Sequence, residues 1–182
     1  MSRKRRLAAS ASATSKYSTI DLETAKSALL IRGANASSTC MDAQREINLL
    51  KKPLCKLMTR KNPVRPIDDD KSIEFMCQTT HAALFACGTH NKKRPHSLTL
   101  GRLFDGEVLD MMEFGIKSLR KVSEFSGPSF SMGTKPLFIF QGTAFESDAD
   151  AIKAKSLILD FFRGHQVDKI ALAGLELSLI HI

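Results

Sequence analysis

Apolar runs along the chain alternate with charged, turn-prone stretches, and the runs differ in kind. Ala28-Leu29-Leu30-Ile31 is short and continuous and stops at Gly33, the pattern of a strand buried on both faces. Ser37, Ser38 and Thr39 then offer hydroxyl caps to a helix whose apolar positions, Ile47, Leu49 and Leu50, lie among charged residues. Pro53 ends or resets that helix, because proline has no amide hydrogen and its ring clashes with the preceding turn. The next ten residues, PLCKLMTRKN, fit a helix or a strand. Residues 62–70 form a loop with two prolines and three consecutive aspartates, after which Ser72-Ile73-Glu74-Phe75-Met76 predicts a second short helix.

Two β-prone apolar runs, ALFACG and SLTLGRLF, flank the polar and strongly basic THNKKRPH, so the pattern reads strand, basic loop, strand. Glu107 to Phe114 has helical spacing, with Val108, Met111 and Met112 on one face. Ser118 to Lys135 turns to Ser, Gly, Lys and Pro, a connector. Pro136 to Phe140 then reads as a buried strand. Ser147 is placed to cap a helix through about Phe162, with Ile152, Leu157, Ile158 and Phe161 inward, and Ile170 to Leu177 is another strand. The predicted order is β-α-α-β-β-α-loop-β-α-β, an α/β fold whose sheet is covered on both faces. The chain stops at Ile182 directly out of an apolar strand, and the expectation is a C-terminally truncated domain.

Composition places few further bounds. With 182 residues, 43% hydrophobic and 25% charged, the chain can bury one core of ordinary size. Residues 1–18, MSRKRRLAASASATSKYS, are too poor in large apolar side chains to offset the entropy of ordering, so a flexible basic arm is expected. Its Arg3-Lys4-Arg5-Arg6 run fits an import signal, a mobile phosphate contact or a plain solvated tail. The sequence has no apolar run long enough for a bilayer and no signal-peptide core, so a soluble, non-secreted protein without a membrane partner is expected. Cys40, Cys55, Cys77 and Cys87 include no C-x-x-C pair and read as reduced intracellular thiols.

Charge changes the picture more. Residues 1–104 hold 19 Lys and Arg against 8 Asp and Glu, a net of +11, whereas residues 105–182 hold 8 against 11, a net of −3. A separated positive field attracts polyanions, and without an amphipathic anchor the partner is nucleic acid. The sharpest cluster is Asn91-Lys92-Lys93-Arg94-Pro95, with Arg102 nearby. Three adjacent cations repel one another and invite an external anion; a rigid sheet on either side would present them, although a solvated surface loop has the same composition. Lys51, Lys52, Lys56, Arg60 and Lys61 form a second candidate RNA contact. His81, Cys87, His90 and Cys77 match no usual metal spacing, so neither a metal nor any other cofactor is expected. Asp105, Asp110 and Glu113 could be grouped as a carboxylate set, but Asp110 and Glu113 read more simply as the wet side of one helix. With no nucleophile, base and orienter that belong together, an enzyme is not expected.

Several strings in collinear order add a family to this reading. GTHNKKRPHSLTLGRLFDGEVLDMMEFGI, LLIRGANASS, LLKKP, GTKPLFIFQG, AKSLILDFFRG and LAGLE together resemble the signature of the Brix-domain proteins of ribosome assembly, from about residue 28 to 176. The resemblance implies an α/β fold of two similar halves, each like the anticodon-binding domain of some aminoacyl-tRNA synthetases. The halves would fall at about 28–117 and about 135–182, the second incomplete, with a connector at about 118–134 and the arm at 1–27. It also implies a non-enzymatic nucleolar factor of the large ribosomal subunit. Such a factor would bind 5S rRNA and pre-rRNA, a homologue of the regulator of ribosome synthesis 1, and the ribosomal proteins of the 5S particle. Asn91, Lys92, Lys93 and Arg94 match the family's basic motif. The closing LSLIHI departs from the family. A nucleolar protein-interaction scaffold and another Brix-type pre-rRNA processing factor remain the alternatives.

Overall fold

The computed structural model describes residues 25–125 and 132–164, together with the backbone of Ile180 and His181. The predicted strand over 170–177 and the first 24 residues of the arm lie outside the described residues.

Five strands form the main sheet in the order β2-β1-β3-β4-β5. At its centre lie β1 (Ala28–Arg32) and β3 (Leu84–Thr89), which run parallel with Ala28 opposite Leu84. Both are nearly continuous apolar runs because both of their faces are covered. The segment that fitted either helix or strand contains β2 (Cys55–Leu57), which pairs parallel to β1. Antiparallel ladders then add β4 (Ser97–Phe104) and β5 (Glu107–Gly115).

The helices cover opposite faces. Helix α1 (Ser38–Lys51) starts at Ser37, whose hydroxyl accepts the Cys40 amide at 3.2 Å, and packs Ile47 on the face of Leu30, Ala86 and Leu100. Leu49, another of the helix's apolar positions, is exposed. The buried face of α1 instead includes Gln44, whose Nε2 donates to the carbonyls of Ile31 (2.7 Å) and Ala86 (3.2 Å), tying β1 to β3. Helix α2 (Asp70–Thr80) starts at Asp69, which accepts the Ser72 amide at 3.2 Å. It buries Ile73 and Cys77 on the other face, against Leu29, Ile31 and Phe85.

One predicted element is overturned. Residues 107–114 are strand β5, not a helix, and the reason is the two-residue turn before them. Asp105 and Gly106 both take positive φ, 51° and 85°, the conformation that an Asp-Gly pair favours and that folds a hairpin tightly back on itself. Once β5 lies on β4, alternation places Asp110 and Glu113 on opposite faces rather than on one wet helical side. Gly101 of β4 leaves the space that the ring of fully buried Phe85 fills.

The second half is sketched more lightly. The connector contains one 3-10 turn, Val122–Glu124, whose first amide donates to Glu46 at 3.0 Å. The strand predicted over 136–140 is only β6 (Phe138–Ile139), half-buried and paired parallel with β7 (Ile180–His181). After the short α3 (Ala144–Ser147), helix α4 (Ala149–Phe162) is capped by Asp148 rather than Ser147. Leu157 and Phe161 of α4 are fully buried on the α1 face of the sheet, while Ile152, predicted inward, is exposed.

Candidate nucleic-acid interface

The basic cluster sits on the loop joining β3 to β4, and the chain braces it from several sides. Asn91 Oδ1 accepts the Arg94 amide at 2.7 Å and the Asn91 amide donates to the Arg94 carbonyl at 3.2 Å, closing a turn with Lys92 and Lys93 at its tip. Arg94 reaches down to Glu113 on β5, Nη1 to Oε2 2.7 Å. His96, in the left-handed conformation (φ 50°), donates its amide to His90 Nδ1 at 3.2 Å, and the two rings lie 4.9 Å apart. Its own Nδ1 lies 2.8 Å from Ser37 Oγ, so the loop is pinned to the start of α1. A loop tied in this way gives up little freedom when an anion arrives. Lys92 and Lys93 are exposed and have no carboxylate partner among the described residues.

Beside this loop lies a groove of about 1000 Å³, bounded also by Ala34 and Asn35 after β1 and by the segment from Pro63 to Asp68. Its position follows from topology. The connection through α1 leads from β1 to β2 on one side, and α2 carries the chain over the opposite face to β3 on the other side. Loops leaving the carboxyl ends of β1 and β2 therefore diverge to opposite faces, and a crevice opens beside them, as in other open α/β sheets, with the β3–β4 hairpin loop as its further wall.

The remaining predicted RNA-binding residues are dispersed. Arg60 and Lys61 are exposed just before Asn62, which bonds the Arg32 carbonyl at 2.9 Å and so leads into the groove wall. Lys52 and Lys56 are exposed but lie toward the other end of β2, where Cys55 faces Ala28. Lys51 is not presented at all: it is only 5% exposed, its ammonium has no hydrogen-bond partner among the described residues and it lies 5.9 Å above the Phe161 ring. Burial pushes its pKa down. Arg102 is engaged within the sheet by Asp110 and Asp160, and the Asp110 hydrogen bonds raise its pKa further. Sequence reasoning missed Arg65, which lines the groove as a single cation between Pro63 and Pro66; the two prolines were the available signal, since they fix how it is displayed.

The Brix-domain family model matches residues 33–182. The chain belongs to the Brix family. This Brix chain is 43% identical over 157 residues to the ribosome production factor 2 homologue of Homo sapiens, covering 86% of the chain and 51% of that relative. The corresponding homologue of Schizosaccharomyces pombe is 41% identical over 159 residues (87% and 50% covered), and that of Arabidopsis thaliana is 35% identical over 165 residues (87% and 52%). The Brix chain thus spans about half the length of the curated relatives it matches. A crystal structure of a probable ribosomal biogenesis protein from Aeropyrum pernix K1 superposes with a TM-score of 0.54 at 12% identity, covering 86% of the chain and 82% of its own. That likeness is one of fold, and it fits the five-stranded α/β sheet described above.

Proposed function

We propose that this Brix chain acts in assembly of the large ribosomal subunit as a non-catalytic RNA-binding scaffold of the nucleolus. In this reading it holds 5S rRNA and pre-rRNA, pairs with a homologue of the regulator of ribosome synthesis 1, and helps load the 5S particle with its ribosomal proteins, supporting rRNA maturation. The observation that carries it is the braced β3–β4 loop, which offers Lys92 and Lys93, without carboxylate partners among the described residues, beside a groove. Membership of the Brix family and the names of the relatives supply the process.

Binding of the chain to 5S rRNA is the test. Affinity is expected to fall steeply as salt rises, and replacing Lys92 and Lys93 with Ala is expected to flatten that slope by about 1.4 to 1.8, since each phosphate that a lysine neutralises adds ~0.7–0.9 to it. A double variant with unchanged affinity and slope sinks the assignment. If the variant still captures the protein partner while the parent shows no RNA affinity, the chain is a protein-interaction scaffold instead.

A further inference from the structure

The groove differs from the loop beside it in what it can accept. Its rim is cationic: Lys92 and Lys93 on one side, and on the other Arg65, whose nearest carboxylate, Asp68, is 3.8 Å away. Its wall is mixed, with Pro63 and Ile67 contributing apolar surface beside the polar Thr89, Thr99 and Glu113. Val64 and Pro66 are buried anchors, and the amides of Asp68 and Asp69 both donate to the Arg65 carbonyl, at 3.0 and 2.9 Å, closing the turn. Ile67 is thereby held out 56% exposed by a turn that has little freedom left to give up. Opposite, the Asn35 side chain is exposed and has no hydrogen-bond partner among the described residues.

We infer that this groove takes a single-stranded RNA segment a few nucleotides long, with its phosphates on Lys92, Lys93 and Arg65 and an unstacked base laid against Ile67. The inference rests on the RNA-binding reading above and specifies the form of RNA. Duplex RNA presents a convex surface with its bases stacked inside, so a protein reads it with protruding elements and mostly through backbone. A concave cleft with cations on the rim and an exposed aliphatic side chain, Ile67, in its wall suits the opposite shape: a thin strand whose base has no stacking partner and gains by covering apolar surface. A volume of about 1000 Å³ is at the upper end of small-ligand clefts, enough for a few nucleotides and too little for a helix. The free amide of Asn35 supplies both a donor and an acceptor to a base edge within that space.

The experiment measures fluorescence anisotropy of the full chain with a short labelled RNA strand and with the same strand annealed to its complement, at one moderate salt concentration. The parent is expected to prefer the single strand. Ile67→Ser is expected to weaken single-strand binding roughly fivefold while leaving duplex binding, the salt slope and the melting temperature unchanged. Arg65→Ala is expected to flatten the single-strand salt slope by about 0.7. Equal affinity for both forms, with Ile67→Ser altering neither, overturns the groove assignment and leaves the loop reading standing provided that the Lys92 and Lys93 variant binds neither. If the parent binds neither form, the RNA-binding reading itself fails.

Discussion

Arg102 on β4 holds Asp110 on β5 with two parallel hydrogen bonds, Nε to Oδ1 and Nη2 to Oδ2, each 2.7 Å. The same guanidinium lies 3.6 Å from Asp160 of α4 and 3.4 Å from the Ser156 hydroxyl, and Asp160 in turn accepts Lys26 at 2.7 Å. One side chain therefore fastens the hairpin to itself and to the helix of the second half. Arg102→Leu leaves the largely buried Asp110 carboxylate without its fork donor, Asp160 keeping Lys26, and is expected to cost about 2 kcal/mol in chemical denaturation. If the variant is as stable as the parent and instead binds RNA more weakly, Arg102 is an RNA contact and not a clasp.

Gly101 offers a sharper packing test. A methyl group there would overlap the ring of Phe85, which is fully buried, and stand 3.0 Å from the Asp110 carbonyl. Gly101→Ala is expected to destabilise by roughly 1–3 kcal/mol through overpacking. A thermal melt at parental temperature would show that the sheet yields there.

Lys51 ties stability to pH in a particular sense. Its folded pKa is depressed below the ordinary 10.5 because burial penalises the ammonium. Between the two values the unfolded chain binds more protons, so this lysine makes stability rise with pH in the window below about 10.5. The buried thiols act oppositely, since their raised pKa values make stability fall above about 9. The comparison must therefore be made against Lys51→Met. That variant is expected to be more stable by about 1 kcal/mol at neutral pH, with the advantage shrinking as pH rises toward 10. An advantage that is absent, or that grows with pH, contradicts the burial.

Thiol chemistry gives an independent check on the core. Burial pushes Cys55, Cys77 and Cys87 up to about 12, so almost no thiolate exists at pH 8. Alkylation followed by peptide mass spectrometry is expected to mark these residues slowly in the native protein and rapidly in denaturant. Fast native labelling of Cys77 or Cys87 would mean that the face under α2 opens readily.

What the sequence could and could not disclose follows from which surfaces each element meets. β1, β3 and β4 are legible because double coverage makes their runs continuous, and the loop between β3 and β4 stands out against them by charge. β5 is an edge strand, half-exposed and carrying adjacent Met111 and Met112, so its pattern mimics a helix unless Asp105-Gly106 is weighted as a hairpin turn. Periodicity also hides buried polar groups: Gln44 and Lys51 face inward on α1 while Leu49 does not. The groove was illegible because its walls come from three separate loop stretches together with Thr99 and Glu113 of the sheet, and an isolated Arg65 forms no cluster in one dimension.

The three loop stretches of the groove, at 34–35, 63–68 and 89–94, meet only when β2, β1 and β3 are side by side in register. An unfolded or misregistered chain keeps every lysine and arginine yet has no cleft. RNA capture in the groove would therefore report on the folded sheet, whereas binding through charge alone would not.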